Sequence, residues 1–273
     1  MTNCKPVPTP IVKNMQKVTT SENKEKFPYR EAVGALSYLM VGTRPDIAYA
    51  VGVVSRTLQN PTDGDIIRVK RILRYIQGTK EYGITYKGNN KPITMYTDAD
   101  LGGDPTTGRS TSGMVCLFSS GAISWRSLRQ RTVALSSSEA EIVAASEATR
   151  ELLWLKHIIE DVAMNVQTVE LLIDSESALK LSKNPIERHH QTKHMHVQRR
   201  HFFLRECLMQ DTNNLIAKKV SSEQNVADMM TKPLYKPRLL VLMEPLGMRN
   251  SKGGTGAKPP GGAVPPAIKK SQF

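Results

Sequence analysis

The spacing of apolar residues divides the chain into a helical part followed by a part that begins with strands. In residues 28–80 apolar positions recur at helical spacing and predict three helices, the second starting near Pro45 and the third capped by Asp63 or Asp65. The outward positions of the third helix are basic, namely Arg68, Lys70, Arg71 and Arg74. The pattern therefore predicts a small helical module with one basic side.

From residue 82 the period of the apolar positions shortens toward two, which indicates strands. Strands are predicted at 82–87, 93–98, 112–118, 122–125 and 131–135. Helices and strands then alternate: a helix at 138–160, a strand from Val169 to Asp174, helices at 177–183 and 195–210, a strand at 215–220 and a helix at 224–231. This order predicts an α/β domain built around a mixed sheet.

The two ends of the chain have different compositions from the rest. Residues 1–27 are rich in Pro, Thr, Lys and Asn and are expected to form a linker. The stretch from Arg249 to Phe273 is rich in Gly, Pro and Lys. It cannot bury enough apolar area to offset its chain entropy, so we expect it to be disordered.

The overall charge favours a polyanionic partner. The chain has 273 residues, 39% of them hydrophobic, and a net charge of +13, which makes nucleic acid a candidate partner alongside a purely solubilising role. Its three cysteines form no CxxC pair, so neither a disulfide framework nor a cysteine zinc site is expected. No apolar run approaches about 18 residues and no signal peptide is visible. We therefore expect an intracellular protein, cytoplasmic or nuclear, not secreted and without membrane contact.

Candidate chemistry is concentrated in carboxylates. Asp98 lies at the end of a predicted strand, where its side chain could point into a cleft, and Asp100 would share its face if the strand continued. A turn aspartate before Gly102–Gly103 is the alternative interpretation. In the long helix, Glu141 shares the small, apolar side with Ala145, whereas Glu139 lies about 200° away and is better interpreted as a partner of the helix dipole.

Two further aspartates complete an acidic set. Asp174 follows the apolar run 169–173, and Asp228 begins the last short helix, where capping is an equally good interpretation. Carboxylates on four separate elements are what two Mg²⁺ ions would need to hold a phosphodiester. Spacing alone leaves open whether Asp98, Glu141, Asp174 and Asp228 converge.

Several ordered segments resemble a known family. They include YREAVGALSYLMVGTRPDIAYAVGVVSR, YTDADLGGD, GAISWRSLRQRTVALSSSEAEIVAASEA, LLIDSESALKLSKNP and NVADMMTKPL. They are similar to the C-terminal part of Ty1/copia-type retrotransposon Pol polyproteins, over roughly residues 1–248. The sequence departs from the usual family pattern at Leu101–Gly102, Ile142, Ile173 and His196, and none of these changes removes a carboxylate.

The resemblance implies both a domain plan and a set of functional residues. Residues 28–90 would be the end of the reverse transcriptase (its thumb or connection part), 91–234 a ribonuclease H-like domain with a five-stranded mixed sheet flanked by helices, and 235–273 an extension. The family's catalytic carboxylates match Asp98, Glu141, Asp174 and Asp228, which would bind two Mg²⁺ or Mn²⁺ ions. The implied activity is endonucleolytic cleavage of the RNA strand of RNA–DNA hybrids. The polymerase palm would belong to a full-length Pol and is a candidate partner; the oligomeric state stays open.

Basic residues supply candidate contacts to the hybrid backbone. They are Arg126, Arg129, Arg131, Lys193, His194, Arg199 and Arg200. A solvated basic hairpin is an equally good interpretation of the first three. His190 and His194 have the i, i+4 spacing of a zinc pair, but no closed set of ligands is visible, so a phosphate-facing segment is favoured.

Three hypotheses follow for function. The first is a metal-dependent hybrid ribonuclease. The second is a catalytically silent, transposon-derived fragment that only binds nucleic acid. The third is an integrase-like strand-transfer enzyme, which the four-carboxylate pattern and the NVADMMTKPL segment disfavour.

Overall fold

A computed structural model describes residues 4–13, 27–88, 91–162, 166, 168–183 and 195–251. The predicted contacts Lys193 and His194 lie outside these residues. Within the described ranges, every helix is too short or too polar to cross a membrane.

Three helices form the module that the apolar spacing predicts. They are α1 (Tyr29–Gly42), α2 (Ala48–Val54) and α3 (Asp63–Gly78). Pro45 begins the short 3-10 turn that runs into α2. The N-cap of α3 is Thr62, so the prediction that Asp63 or Asp65 caps this helix is wrong, although the Asp65 carboxylate completes a capping box by accepting from the Thr62 N–H.

A five-stranded mixed sheet follows the module. After a short β1 (Tyr82–Ile84), its strands are β2 (Ile93–Asp100), β3 (Thr111–Phe118), β4 (Gly121–Arg129), β5 (Val169–Ile173) and β6 (Leu215–Lys219). The order is β4-β3-β2-β5-β6, with β2, β3 and β4 antiparallel and β5 parallel to both β2 and β6. This confirms the predicted fold class, a five-stranded mixed sheet flanked by helices and preceded by a helical module.

Among the described residues, five further α-helices and one strand complete the fold. They are α4 (Ser137–Asp161), α5 (Glu176–Lys183), α6 (Met195–Met209), α7 (Asp228–Thr231), α8 (Lys236–Met243) and β7 (Met248–Asn250). β7 pairs with β1 in a separate two-stranded sheet. The first residues of the stretch predicted to be disordered from Arg249 are thus in a strand, and residues 252–273 lie outside the described ranges.

Two local predictions differ from the structure. The strand predicted at 122–125 lies within β4, which ends at Arg129, and residues 131–135 form no strand. After β4, the buried Gln130 side chain donates to Ser112 Oγ and to the Ala140 carbonyl, so the chain turns toward α4. The helix predicted at 224–231 covers only Asp228–Thr231.

The sheet separates two hydrophobic clusters. One lies between the sheet and α4 and includes Met95, Leu152 and Ile173. The other combines residues of the helical module with residues of the sheet and the C-terminal segment, including Val33, Val54, Ile72, Val115, Ala122 and Met248. The helical module and the sheet therefore share a core.

One core prediction fails on α4. Its place on the long helix predicts that Trp154 is a core residue and not a stacking platform, but its side chain is 56% exposed. Leu152, Leu155 and Ile159 are the residues of this stretch that face the sheet, and they leave Trp154 on the opposite side of the helix.

Candidate metal centre

Three of the four predicted carboxylates converge at one edge of the sheet. Asp98, Asp174 and Asp228 each offer an oxygen, and these oxygens lie within 4.8 Å of one another. Asp98 and Asp228 are buried and Asp174 is half-buried. Carboxylate oxygens are the ligands that hard divalent cations take in proteins.

Parallel pairing of two strands places the first two aspartates side by side. Thr97 of β2 is in register with Ile173 of β5, so the residues that follow, Asp98 and Asp174, come together. β2 continues to Asp100, so Asp98 lies inside the strand and not at its end as predicted.

The third aspartate is brought in by α7, which packs closely on the sheet. Gly113 of β3 is opposite Asp98, and a Cβ at this position would lie 2.7 Å from Met230 Cβ and 2.9 Å from the Ala227 carbonyl. The fully buried Asn225 side chain donates to the Thr97 carbonyl and accepts from the Ala227 N–H. The absence of a side chain at Gly113 and the hydrogen bonds of the buried Asn225 amide therefore fix the position of Asp228.

Glu141 lies beside this cluster on the first turns of α4. One carboxylate oxygen accepts from the Ala99 N–H at 3.4 Å. The residues that share its side of the helix, Ala145, Ala148 and Leu152, are fully buried, as the helix-facing argument predicts.

The neighbouring carboxylates Asp100 and Glu139 have structural partners instead. Asp100 accepts from the Thr111 N–H across the strand pair. Glu139 accepts from the Leu135 N–H at 2.7 Å, and Ser136 caps the helix by accepting from the Glu139 N–H. Asp100 and Glu139 thus contribute to local structure through these hydrogen bonds.

Burial and mutual repulsion disfavour the charged forms at this site. Burial raises the pKa of Asp98 to about 6; Asp228 and Asp174 add to the rise, while Lys232 and the Thr231 hydroxyl oppose it. Burial and the charges of Asp98 and Asp174 raise the pKa of Glu141 to about 9, although the hydrogen bond from the Ala99 N–H and the charge of Lys232 act to lower it. The site therefore has too little positive charge for its carboxylates.

The arrangement fits a divalent cation. Glu141 Oε2 is buried and has no hydrogen-bond partner among the described residues. An unpaired buried carboxylate oxygen is costly unless something supplies positive charge. A hard cation held by the aspartates and Glu141 would supply it.

Three residues at the site were not anticipated from the sequence. The Thr231 hydroxyl donates to Asp98 Oδ2. Lys232 Nζ is 2.7 Å from Asp228 Oδ1, and Arg238 Nη2 is 3.1 Å from Asp228 Oδ2. The spacing of Asp228 and Lys232, four residues apart across a short helix, is the sequence signal that could have pointed to this pair.

The described basic candidates have mixed environments. Arg129 pairs with Asp104, and Arg200 pairs with Glu147 at 2.8 Å. Arg126, Arg131 and Arg199 are exposed. Among the histidines of the same region, His201 contacts the Leu181 carbonyl at 2.7 Å through Nε2.

Comparison with known proteins identifies relatives over most of the chain. No family model matches. The chain is 42% identical over 259 residues, 92% of its length, to the Retrovirus-related Pol polyprotein from transposon TNT 1-94 of Nicotiana tabacum, of which the match covers 19%. It is 34% identical over 86% of its length to that from transposon RE1 of Arabidopsis thaliana, covering 16% of the relative. The chain thus spans less than a fifth of these Pol polyproteins.

One relative carries a different name. A protein called secreted RxLR effector protein 161, from Plasmopara viticola, is 50% identical over 48% of this chain and 93% of its own length.

Solved structures of ribonuclease H domains also match the chain. LC11-RNase H1, isolated from compost, covers 51% of this chain and 92% of its own with a TM-score of 0.39 and 20% identity. The same enzyme in complex with an RNA/DNA hybrid matches with a TM-score of 0.38 and 18% identity.

Proposed function

Because this chain belongs to the Pol polyproteins of copia-type retrotransposons, we propose that it is a divalent-metal-dependent ribonuclease that cleaves the RNA strand of RNA–DNA hybrids. In this proposal residues 91–234 supply the ribonuclease H-like domain, and residues 28–90 are the end of the reverse transcriptase.

The observation that carries the proposal is the convergence of Asp98, Asp174 and Asp228 within 4.8 Å, with Glu141 beside them. These four carboxylates would hold two Mg²⁺ or Mn²⁺ ions. Bound there, such ions would supply the activation of a water nucleophile and the stabilisation of charge on the leaving oxygen of a phosphodiester.

The protein's own residues position this acidic set. Asn225 and Gly113 set the distance between α7 and β2, and Arg238 holds the Asp228 carboxylate from the opposite side. The Thr231 hydroxyl orients Asp98. A site whose ligands are fixed in this way needs little reorganisation to accept cations.

Recognition of the hybrid would go through its backbone and groove shape. Arg126 and Arg131 are exposed on the surface, where they could approach phosphates, and Arg199 is exposed as well. Such contacts position a nucleic acid without reading its sequence, and 2′-hydroxyls distinguish RNA from DNA. We therefore expect little sequence preference.

The test is cleavage of end-labelled substrates of one sequence in three forms: an RNA–DNA hybrid, a duplex RNA and a duplex DNA. With Mg²⁺ or Mn²⁺ the protein should cut the RNA of the hybrid and leave the other two intact. Chelation of the metal should stop the reaction. Cleavage of duplex DNA with equal efficiency would point to the integrase-like alternative.

The same preparation tests the catalytically silent alternative. A purely binding protein would retain the hybrid in a filter assay, with affinity falling steeply as salt rises, and would release no fragments at any metal concentration. That outcome would reject the enzymatic proposal.

A further inference from the structure

The ammonium group of Lys232 lies between two of the clustered carboxylates. Its Nζ atom is 2.7 Å from Asp228 Oδ1 and 3.6 Å from Asp98 Oδ2. Both aspartates belong to the set whose oxygens lie within 4.8 Å of one another. The ammonium therefore uses carboxylates that a divalent cation at this site would also need.

The charge balance explains why a cation is held there. Like charges this close repel strongly in a buried site. Lys232 Nζ contacts both aspartates, while 44% of its side chain is exposed to water. Its ammonium group therefore offsets part of the repulsion between the two carboxylates.

Arg238, the other cation on Asp228, is held differently. Its guanidinium also donates to the carbonyls of Ser222 and Glu223, and its side chain is 17% exposed. Arg238 is thus fixed between α8 and the loop before α7, and it approaches the opposite carboxylate oxygen, Asp228 Oδ2, at 3.1 Å.

Lys232 has the freedom that Arg238 lacks. Its side chain is 44% exposed, and within the described part of the chain its ion pairs are with Asp98 and Asp228 alone. It follows α7 with extended backbone, so its long side chain can rotate toward solvent without moving the helix.

We propose that Lys232 is a built-in counter-cation of the acidic site, whose ammonium neutralises Asp98 and Asp228 in the metal-free protein and is displaced when a divalent cation binds. The inference rests on the proposed metal site. It gives Lys232 two opposite effects, because the same contacts stabilise the metal-free fold and weaken metal binding.

The test is calorimetric titration of Mn²⁺ into the full chain, together with thermal unfolding in the absence of metal. Lys232→Met removes the charge and keeps most of the side-chain volume. It should bind Mn²⁺ about tenfold more tightly than the wild type, because one competing positive charge is gone. Its metal-free melting temperature should fall by several degrees, because the aspartates lose their counter-charge.

Three variants make the result specific. Lys218→Met, on β6, removes the same charge from an ion pair with Glu170 of β5. It should change neither the affinity for Mn²⁺ nor the metal-free melting temperature. Lys232→Arg keeps the charge and should remain close to the wild type. Lys232→Gln keeps a hydrogen-bond donor and should bind Mn²⁺ more tightly even if Lys232→Met folds poorly.

The two proposals fail in different ways. If the wild type binds Mn²⁺ and both neutral variants bind it equally or less tightly, Lys232 is no competitor and this inference is overturned, while the metal site stands. If neither the wild type nor the neutral variants bind Mn²⁺ at millimolar concentration, the metal site and the inference are both rejected.

Discussion

The convergence of the carboxylates depends on uncharged neighbours as much as on the carboxylates themselves. Gly113 faces Asp98 across the β2–β3 pair, and α7 packs where a side chain would otherwise stand. Asn225, in the segment just before α7, donates a hydrogen bond to the Thr97 carbonyl of β2. Small changes at these positions should therefore displace the clustered carboxylates, although Gly113 has no side chain and the Asn225 amide is used in hydrogen bonds to the backbone.

Gly113→Ala is a direct test of this close packing. The added methyl would lie 2.7 Å from Met230 Cβ and from Thr231 Cγ2, so α7 must shift away from β3 and take Asp228 with it. We expect a loss of about 1–3 kcal/mol in the free energy of unfolding and a loss of at least tenfold in hybrid cleavage. Denaturant unfolding and initial cleavage rates measure the two effects.

Gly34→Ala is the matched control for this variant. A Cβ there meets nothing within 4 Å, and the position is exposed within α1. Replacing an exposed helical glycine should leave the protein equally stable or stabilise it by about 0.5–1 kcal/mol. An equal response of Gly113→Ala and Gly34→Ala would contradict the role given to Gly113.

Single residues also mark how far the sequence alone can reach. Helix facing distinguishes Glu141 from Glu139, because a helix separates the two side chains by a fixed angle. No such rule separates Asp98 from Asp100, because the two share a strand face. The family resemblance alone favours Asp98 as the site carboxylate. The i, i+4 spacing could indicate the pair of Lys232 with Asp228, but the contact of Lys232 with Asp98 depends on where α7 docks.

Among the elements, the loop between β2 and β3 is held in place from two directions. The buried Asp104 in this loop pairs with Arg129 of β4 and lies 3.9 Å from Arg56 of the helical module. It also accepts from the Thr106 N–H and the Thr107 hydroxyl. The loop that follows the site strand is thereby tied to both β4 and the module.

The contacts of the Asp104 carboxylate should make the free energy of unfolding depend on pH in the acidic range. Burial alone would raise the pKa of Asp104, but Arg129 and the loop hydrogen bonds outweigh it and lower the pKa to about 2. The pKa of this carboxyl is lower in the folded protein than its value of about 3.9 in the unfolded chain. Its charge therefore stabilises the fold at pH values above the unfolded pKa, and this stabilisation is lost as the pH falls through the folded pKa. At pH 6 we expect the free energy of unfolding of the wild type to be larger than that of Asp104→Asn by roughly 1–2 kcal/mol.

Denaturant unfolding from pH 6 to pH 2 measures this difference. It should shrink between about pH 4 and pH 2, where Asp104 takes up its proton. Asp161→Asn, at the exposed end of α4, is the control and should stay within about 0.5 kcal/mol of the wild type. A difference that does not change with pH would show that the Asp104 charge is not what holds the loop.

Element prediction succeeded where the apolar period was long and failed where side-chain contacts decide. α4 was predicted within a residue at each end, since its periodic pattern spans many turns. The strand predicted at 131–135 is absent because the Gln130 amide bonds to α4 and turns the chain. The exposure of Trp154 depends on which side of α4 meets the sheet.

At the scale of the whole molecule, the helical module and the sheet form one structure. Trp125 of β4 donates to the Met40 carbonyl at 2.9 Å, and Arg56 of the module donates to Thr111 Oγ1 of β3 at 3.2 Å. The hydrophobic cluster that includes Val33 and Val115 contains residues of both parts. Periodicity predicted each part separately, but it carries no information about which surfaces meet.

Separating the two parts should therefore be costly. A chain starting at residue 91 would expose Val115 and Ala122 on the module-facing side of the sheet, and Met230 of α7. We expect it to be insoluble or to lack a cooperative melting transition, whereas the full chain melts cooperatively. Adding residues 1–90 as a separate polypeptide should restore solubility in part. A truncated chain that melts cooperatively and cleaves hybrid would contradict the shared core.

The central claim is most directly tested by comparing neighbouring carboxylates in a hybrid-cleavage assay with Mg²⁺. Asp98→Asn, Glu141→Gln, Asp174→Asn and Asp228→Asn should each lower the rate at least a hundredfold, because each removes a charged ligand without removing volume. Asp100→Asn and Glu139→Gln change carboxylates two residues away that have structural partners, and they should retain most of the activity. Equal losses in both groups, or activity that survives loss of the clustered aspartates, would contradict the account.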